Sequence, residues 1–266
     1  MPFAVVSGTR LHHLDVGTGE PAVVLLHAFP LNADMWDEQL DALSPRWRVI
    51  APDLPGFGRT DPPADPRSAT IDHWADLVAG LIESLGVGPA VVGGLSMGGY
   101  VALALARRRP DLLAGLVLAD TRAASDTPEV AERRTAQQRQ VSDGQTAEVI
   151  ESMLGTLLSE QTRAERTDVV ERVRALMATT PPAGLVAALE AMKNRSDATS
   201  QLPSIDVPVL VIVGEHDVPS PPPVATAIAE AVSGSFLEVI PTAGHLSNLE
   251  APEAFNRALE TFLSRP

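Results

Sequence analysis

The apolar run Ala90 to Val92 leads directly into Gly94-Leu95-Ser96-Met97-Gly98 and then into a small-residue pattern from Tyr100 to Ala106. The β-branched pair Val91-Val92 predicts a strand, and Val101-Ala102-Leu103-Ala104-Leu105-Ala106 predicts a buried helix. A very sharp turn must join them, with Gly94 and Gly98 letting strand and helix approach closely. Ser96 then stands at the apex, its hydroxyl lifted clear of the sheet. A strained turn of this kind costs free energy and points to function. Three fixed residues are a weak signal alone, expected by chance in roughly one chain of this length in ten. The flanking strand and helix turn Ser96 into a candidate nucleophile.

The rest of the chain alternates in the same way. Leu11 to Val16 and Pro21 to Leu26 read as strands joined by Gly17-Thr18-Gly19-Glu20, a hairpin signal. A strand begins at Arg48 to Ala51, a helix covers Thr70 to Leu85, and strands follow at Ala90 to Leu95 and Leu113 to Ala119 with a helix from Met97 to Arg108 between them. From about Thr121 to Ser200 the sequence is charged, helix-prone and free of strand-like runs. Alternation resumes with strands at Val207 to Gly214 and Phe236 to Ile240 and helices at Pro223 to Val232 and Pro252 to Leu263. This order predicts an α/β fold with a mostly parallel sheet and helices on both faces. Residues 1–120 and 201–266 form its core, and 121–200 form a helical insertion.

With 266 residues, 45% of them hydrophobic, the chain can bury a full core. A formal charge of −14 opposes binding to nucleic acid or to an anionic membrane. The absence of cysteine excludes disulfides, thiolate catalysis and cysteine-bound metal. No His/Asp/Glu cluster has metal-ligand spacing, and Gly56-Phe57-Gly58 lacks the third glycine and helix of a dinucleotide fingerprint. No metal and no cofactor is therefore expected. Met1 to Val6 shows no leader pattern and no apolar run approaches membrane-spanning length, so the expected location is the cytoplasm.

In open α/β sheets, ligands bind beyond the carboxyl ends of the strands. His27, Asp53, Ser96 and Asp217 all sit at such ends, and His245 lies in a loop after the last strand. A serine hydroxyl needs a base to take its proton and a third group to orient that base. Among six histidines, His12-His13 falls in an early strand and His73 opens a helix, so these read as satisfied surface or edge residues. His216 adjoins Asp217 on one tight turn, which leaves His245 as the base. Asp120 and Asp217 both follow late strands. The turn Gly214-Glu215-His216-Asp217 after a strongly apolar strand favours Asp217.

The order Ser96, Asp217, His245 resembles the α/β-hydrolase superfamily, and within it small carboxylesterases and enol-lactonase-like hydrolases. The resemblance is carried by Gly94-Leu95-Ser96-Met97-Gly98-Gly99, Asp53-Leu54-Pro55-Gly56-Phe57-Gly58, Gly214-Glu215-His216-Asp217, Gly244-His245 and His27-Ala28-Phe29-Pro30. It implies a twisted sheet of about eight strands, with residues 121–200 as a lid. It also implies an acyl-enzyme mechanism with the backbone N–H groups of Met97 and Phe29 as the oxyanion hole. Ala28 stands where many relatives have glycine, and a left-handed backbone there would be strained. Phe29, Trp36, Arg122, Met153 and Leu157 are the expected substrate contacts, with Arg122 placed to hold a substrate carboxylate. The expected partner is a small ester or lactone, and peroxide can replace water at the acyl-enzyme in small esterases of this kind. A non-catalytic ligand-binding role is the alternative from another class, which an intact triad disfavours.

Overall fold

The computed structural model describes residues 2–265. Its strands are β1 (Phe3–Val6), β2 (Thr9–Val16), β3 (Val23–Leu26), β4 (Val49–Pro52), β5 (Ala90–Leu95), β6 (Leu113–Ala119), β7 (Val209–Gly214) and β8 (Phe236–Ile240). They form one sheet in the order β1-β2-β4-β3-β5-β6-β7-β8. The β1/β2 and β2/β4 pairings are antiparallel, and all others are parallel.

The helices are α1 (Asp37–Leu43), α2 (Ile71–Leu85), α3 (Met97–Arg108), α4 (Pro128–Ser142), α5 (Thr146–Leu157), α6 (Glu160–Glu165), α7 (Thr167–Ala178), α8 (Pro182–Lys193), α9 (Pro222–Ala231), α10 (Ser247–Glu250) and α11 (Pro252–Leu263). Among the described residues, no single helix is long and apolar enough to cross a membrane.

The central strands are apolar without a break because both faces are covered, and their period of two divides them between two cores. Val24, Leu26, Val92, Leu116, Leu118, Val211 and Val213 pack with α2, α3 and α9. Val23, Leu25, Val91, Val117, Leu210 and Ile212 pack with α1 and α11 on the other face. Helix α2 shows the local logic: Thr70 caps its start by accepting the His73 N–H, and Gly86 ends it in a left-handed conformation. Its buried stripe includes Ile71, Trp74, Ala75, Val78 and Ile82.

Two expectations are corrected. The predicted hairpin does not form, because β4 lies between β2 and β3. The Gly17–Glu20 turn instead packs on residues 44–47, between α1 and β4, and the N–H of the next residue, Arg48, donates to Gly19 O at 2.8 Å while Val23 N–H donates to Arg48 O at 2.8 Å. His12 and His13 are not edge residues either: β1 and β4 flank β2, and both histidines are buried. His12 Nδ1 meets Asp53 Oδ2 at 2.7 Å, while neither ring nitrogen of His13 has a partner among the described residues.

The regular elements between β6 and β7 are all helical, α4 to α8 followed by a 3-10 turn at Thr199–Ser204. They join both cores, with Leu185, Leu189 and Met192 in one and Leu154, Leu157 and Val173 in the other. Helix α8 rests on the loop after β4 through Gly184 and Gly56, whose backbones leave no room for a Cβ. Thr180 Oγ1 also donates to Pro30 O at 2.8 Å, tying the helical segment to the loop after β3.

Candidate active site

Ser96 adopts φ 53° and ψ −110° between β5 and α3. A non-glycine residue there carries roughly 1–3 kcal/mol of strain that its surroundings must sustain. Its N–H donates to Ala119 O of β6 at 2.9 Å, and its carbonyl accepts from Thr121 Oγ1 at 2.7 Å and from Gly99 N–H at 3.0 Å. Backbone bonds on both sides thus hold the turn, leaving Oγ free to face the cavity above the sheet.

His245 reaches that hydroxyl from the loop after β8. Its Nε2 lies 2.8 Å from Ser96 Oγ, and its Nδ1 lies 2.9 Å from each carboxylate oxygen of Asp217. With Nδ1–H donated to the carboxylate, Nε2 is the acceptor for the serine proton. His245 N–H donates to Leu157 O at the end of α5 (3.0 Å). Glu250 accepts Gly244 N–H and Ser159 N–H at 2.9 Å each, so one buried carboxylate fastens the histidine loop to the helical segment. Asp217 also accepts the Ser220 N–H at 2.8 Å, which fixes its carboxylate against rotation.

Asp120, the other candidate acid, directly follows β6 and is fully buried beside Asp217. It accepts Gly214 N–H at 2.8 Å and is bonded to Ser247 Oγ, whereas the imidazole Nδ1 is bonded to Asp217. Burial, and then the charge of Asp217, push its carboxyl well above the ordinary range. Such a group stabilises the fold below about pH 4, where the unfolded chain is also protonated, and that stability is lost as pH rises toward the raised folded value. Asp120→Asn mimics the protonated acid, cannot ionise, and suits the left-handed φ of 46° at this position. Its melting temperature relative to the parent is expected to rise between pH 5 and pH 8. A constant or shrinking difference by calorimetry would contradict a protonated Asp120.

The loop after β3 carries Phe29. His27 Nδ1 donates to Ala28 O and its Nε2 accepts Leu54 N–H, both at 3.0 Å, so its two contacts require the neutral ring. Burial lowers its pKa accordingly. Ala28 is not left-handed; the described non-glycine residues with positive φ are Ser7, Ser96, Asp120 and Thr242. Asp53 braces the same region by accepting Ala33 N–H and Arg59 N–H, each at 2.9 Å. Among the described residues the Phe29 N–H has no protein acceptor, and Met97, the first residue of α3, has no helical carbonyl four residues back to bond.

A cavity of about 350 Å³ opens at Ser96 and His245. Of the residues named from the sequence as substrate contacts, Phe29, Arg122, Met153 and Leu157 line it. Trp36 does not: the 3-10 turn Ala33–Trp36 directs it into the opposite core, where its ring lies 6.0 Å from that of Phe255. Sequence reading missed Tyr100, Asp126, Arg133, Arg134 and Met192, all of which line the cavity. Tyr100 follows Met97 by three residues on α3 and was accessible to helical spacing. Arg133 and Arg134 lie on α4, a polar helix that reads as solvated until it is folded over Ser96.

Residues 21–252 match the family model described as alpha/beta hydrolase fold. The chain is 34% identical to pimeloyl-(acyl-carrier protein) methyl ester esterase of Neisseria meningitidis serogroup C, over 91% of this chain and 93% of that protein. A thermophilic esterase from Thermogutta terrifontis, solved with malate bound, superposes with TM-score 0.93 at 41% identity, covering 98% of this chain and 96% of its own. The enol-lactonase from Burkholderia xenovorans LB400 superposes with TM-score 0.91 at 30% identity, covering 99% and 100%. The chain belongs to the alpha/beta hydrolase family.

Proposed function

We propose that this alpha/beta hydrolase cleaves carboxylic esters of small to medium acyl groups through a covalent acyl-enzyme. The observation that carries the reading is the unbroken relay from Ser96 Oγ through His245 to Asp217, with contacts of 2.8 and 2.9 Å at the mouth of a cavity. Ser96 Oγ attacks the ester carbonyl as its proton passes to His245 Nε2. Asp217 holds the ring and stabilises the imidazolium, and the Met97 and Phe29 N–H groups take the negative charge on the carbonyl oxygen. The proton then moves from His245 to the leaving alkoxide, so the alcohol departs and the acyl group stays on Ser96. Water, deprotonated by His245, releases the acid and restores the serine.

The helical segment 121–200 serves as the lid: it places Met153 and Leu157 in the cavity and is fastened to the histidine loop through Ser159 and Glu250. Lactones can enter the same chemistry, and the enol-lactonase likeness supports testing them. A fluorophosphonate probe is expected to label the native protein at Ser96 in a single stoichiometric adduct detectable by mass spectrometry. A protein left unlabelled, with short esters untouched, would favour a ligand-binding role instead.

A further inference from the structure

The chain carries a formal charge of −14, yet the wall of the Ser96 cavity is cationic. Arg122, Arg133 and Arg134 line it against a single carboxylate, Asp126. Asp126 is already shared: Arg134 Nε and Arg195 Nη1 both lie 2.5 Å from it. Although burial alone would raise it, the bonds and charges of these two arginines hold the Asp126 carboxyl below its usual range, so it remains ionised between them. Arg195 is further occupied by the carbonyls of Met192 and Ala124 and stacks 4.0 Å above the Tyr100 ring. Its work, like that of Arg134, is to hold the insertion together.

Arg122 and Arg133 are different. Among the described residues neither has a carboxylate within ion-pair distance. Arg122 is bonded to Pro219 O, which uses one edge of its guanidinium and steadies it at the cavity wall, and Arg133 projects from α4. Two uncompensated guanidiniums facing one small cavity on an acidic protein form a local well for an anion, because the low-dielectric walls focus their field. Guanidinium geometry suits a carboxylate.

We propose that the cavity selects esters bearing a second, free carboxylate, specifically monoesters of short dicarboxylic acids, with Arg122 and Arg133 seating the free end while Ser96 attacks the esterified end. This rests on the ester-hydrolase reading above. A cavity of about 350 Å³ lies within the size range of small-ligand sites and has room for a diacid of four to six carbons. The aliphatic Met153, Leu157 and Met192 suit its methylenes.

The test compares kcat/KM for the monomethyl esters of succinic, glutaric and adipic acids with that for methyl butyrate, valerate and hexanoate, in which a methyl group replaces the free carboxylate. The preferred chain length is expected to show at least a tenfold advantage for the charged ester at low salt, shrinking as ionic strength rises. Arg133→Met should cut that advantage about tenfold, and Arg133→Glu should reverse it. Arg133 lies on an exposed helix face, so these variants are expected to keep the parent melting temperature. A ratio near one at every length, or a ratio that both variants leave in place, overturns the proposal. Equilibrium binding of monomethyl adipate and methyl hexanoate to Ser96→Ala protein gives a second readout that needs no turnover. Tighter binding of the charged ester supports the anion seat even if the hydrolase reading fails for want of Ser96 labelling, and equal binding removes it.

Discussion

Ser96→Ala is expected to lower kcat for a short p-nitrophenyl ester on the order of 10⁴-fold or more, with the melting temperature within a few degrees of the parent. The variant loses the hydroxyl proposed as nucleophile and one 2.8 Å bond to His245, while the backbone bonds that hold the turn stay in place. When a nucleophile, its base and its orienting acid act as a unit, removing the nucleophile forfeits the covalent route, and only oxyanion stabilisation and binding remain. His245→Gln should fall to a similar floor, and the double variant should fall no further. Independent, multiplying losses would mean that the two residues do not share one step. Undiminished turnover in Ser96→Ala would remove the acyl-enzyme altogether.

Gly98→Ala should strike the fold as hard as Ser96→Ala strikes the chemistry. A Cβ at Gly98 would run into the backbone at the end of β3, 2.6 Å from Leu26 C and 3.0 Å from His27 O as well as against Leu26 O. No rotamer change relieves a clash with backbone, so α3 or β3 must move, at a cost of about 3 kcal/mol. For a chain of this size that corresponds to a melting temperature lower by roughly 6–12 °C. Because β3 leads into the loop carrying Phe29, whose N–H is proposed as an oxyanion donor, surviving protein should also lose kcat by more than about tenfold. Gly155→Ala is the matching control: it lies in α5 with open space around the new methyl, and should stabilise by about 0.5–1 kcal/mol. A Gly98→Ala protein with the parent's stability and activity would contradict the close approach of α3 to β3.

Much of the architecture was legible because it is written locally. Continuous apolar runs marked β5, β6 and β7 as buried parallel strands, and the period of α2 marked its buried face. The predicted hairpin failed because local turn signals say nothing about a third strand: β4, arriving from residue 49, pairs with both β2 and β3. Trp36 was misplaced for a related reason, since a large aromatic after the Phe29 loop suits either a pocket or a core, and only the turn into α1 selects the core.

The contrast between Asp120 and Asp217 shows where local information stops. Both are aspartates just past a strand in the same sheet, both are buried, and the structure sets them side by side. Only the path of the loop after β8 puts the imidazole on Asp217 and leaves Asp120 to Gly214 and Ser247. Arg133 was hidden for another reason. An exposed helix face has the same composition whether or not it borders a cavity, and only what folds opposite it tells the two cases apart.

The sequence by itself determined the strand, turn and helix that raise Ser96, the parallel alternation of the sheet, and hence the end of the sheet at which chemistry would gather. These follow from backbone sterics and from periodicities of two and 3.6 residues, which act between near neighbours. The tertiary structure decided which acid meets His245, that Trp36 belongs to the core, and that two arginines of the helical segment and its entry face the same cavity as the serine. Ser96 and His245 are 149 residues apart in the chain. Their contact depends on how every intervening element packs, and no local pattern encodes that distance.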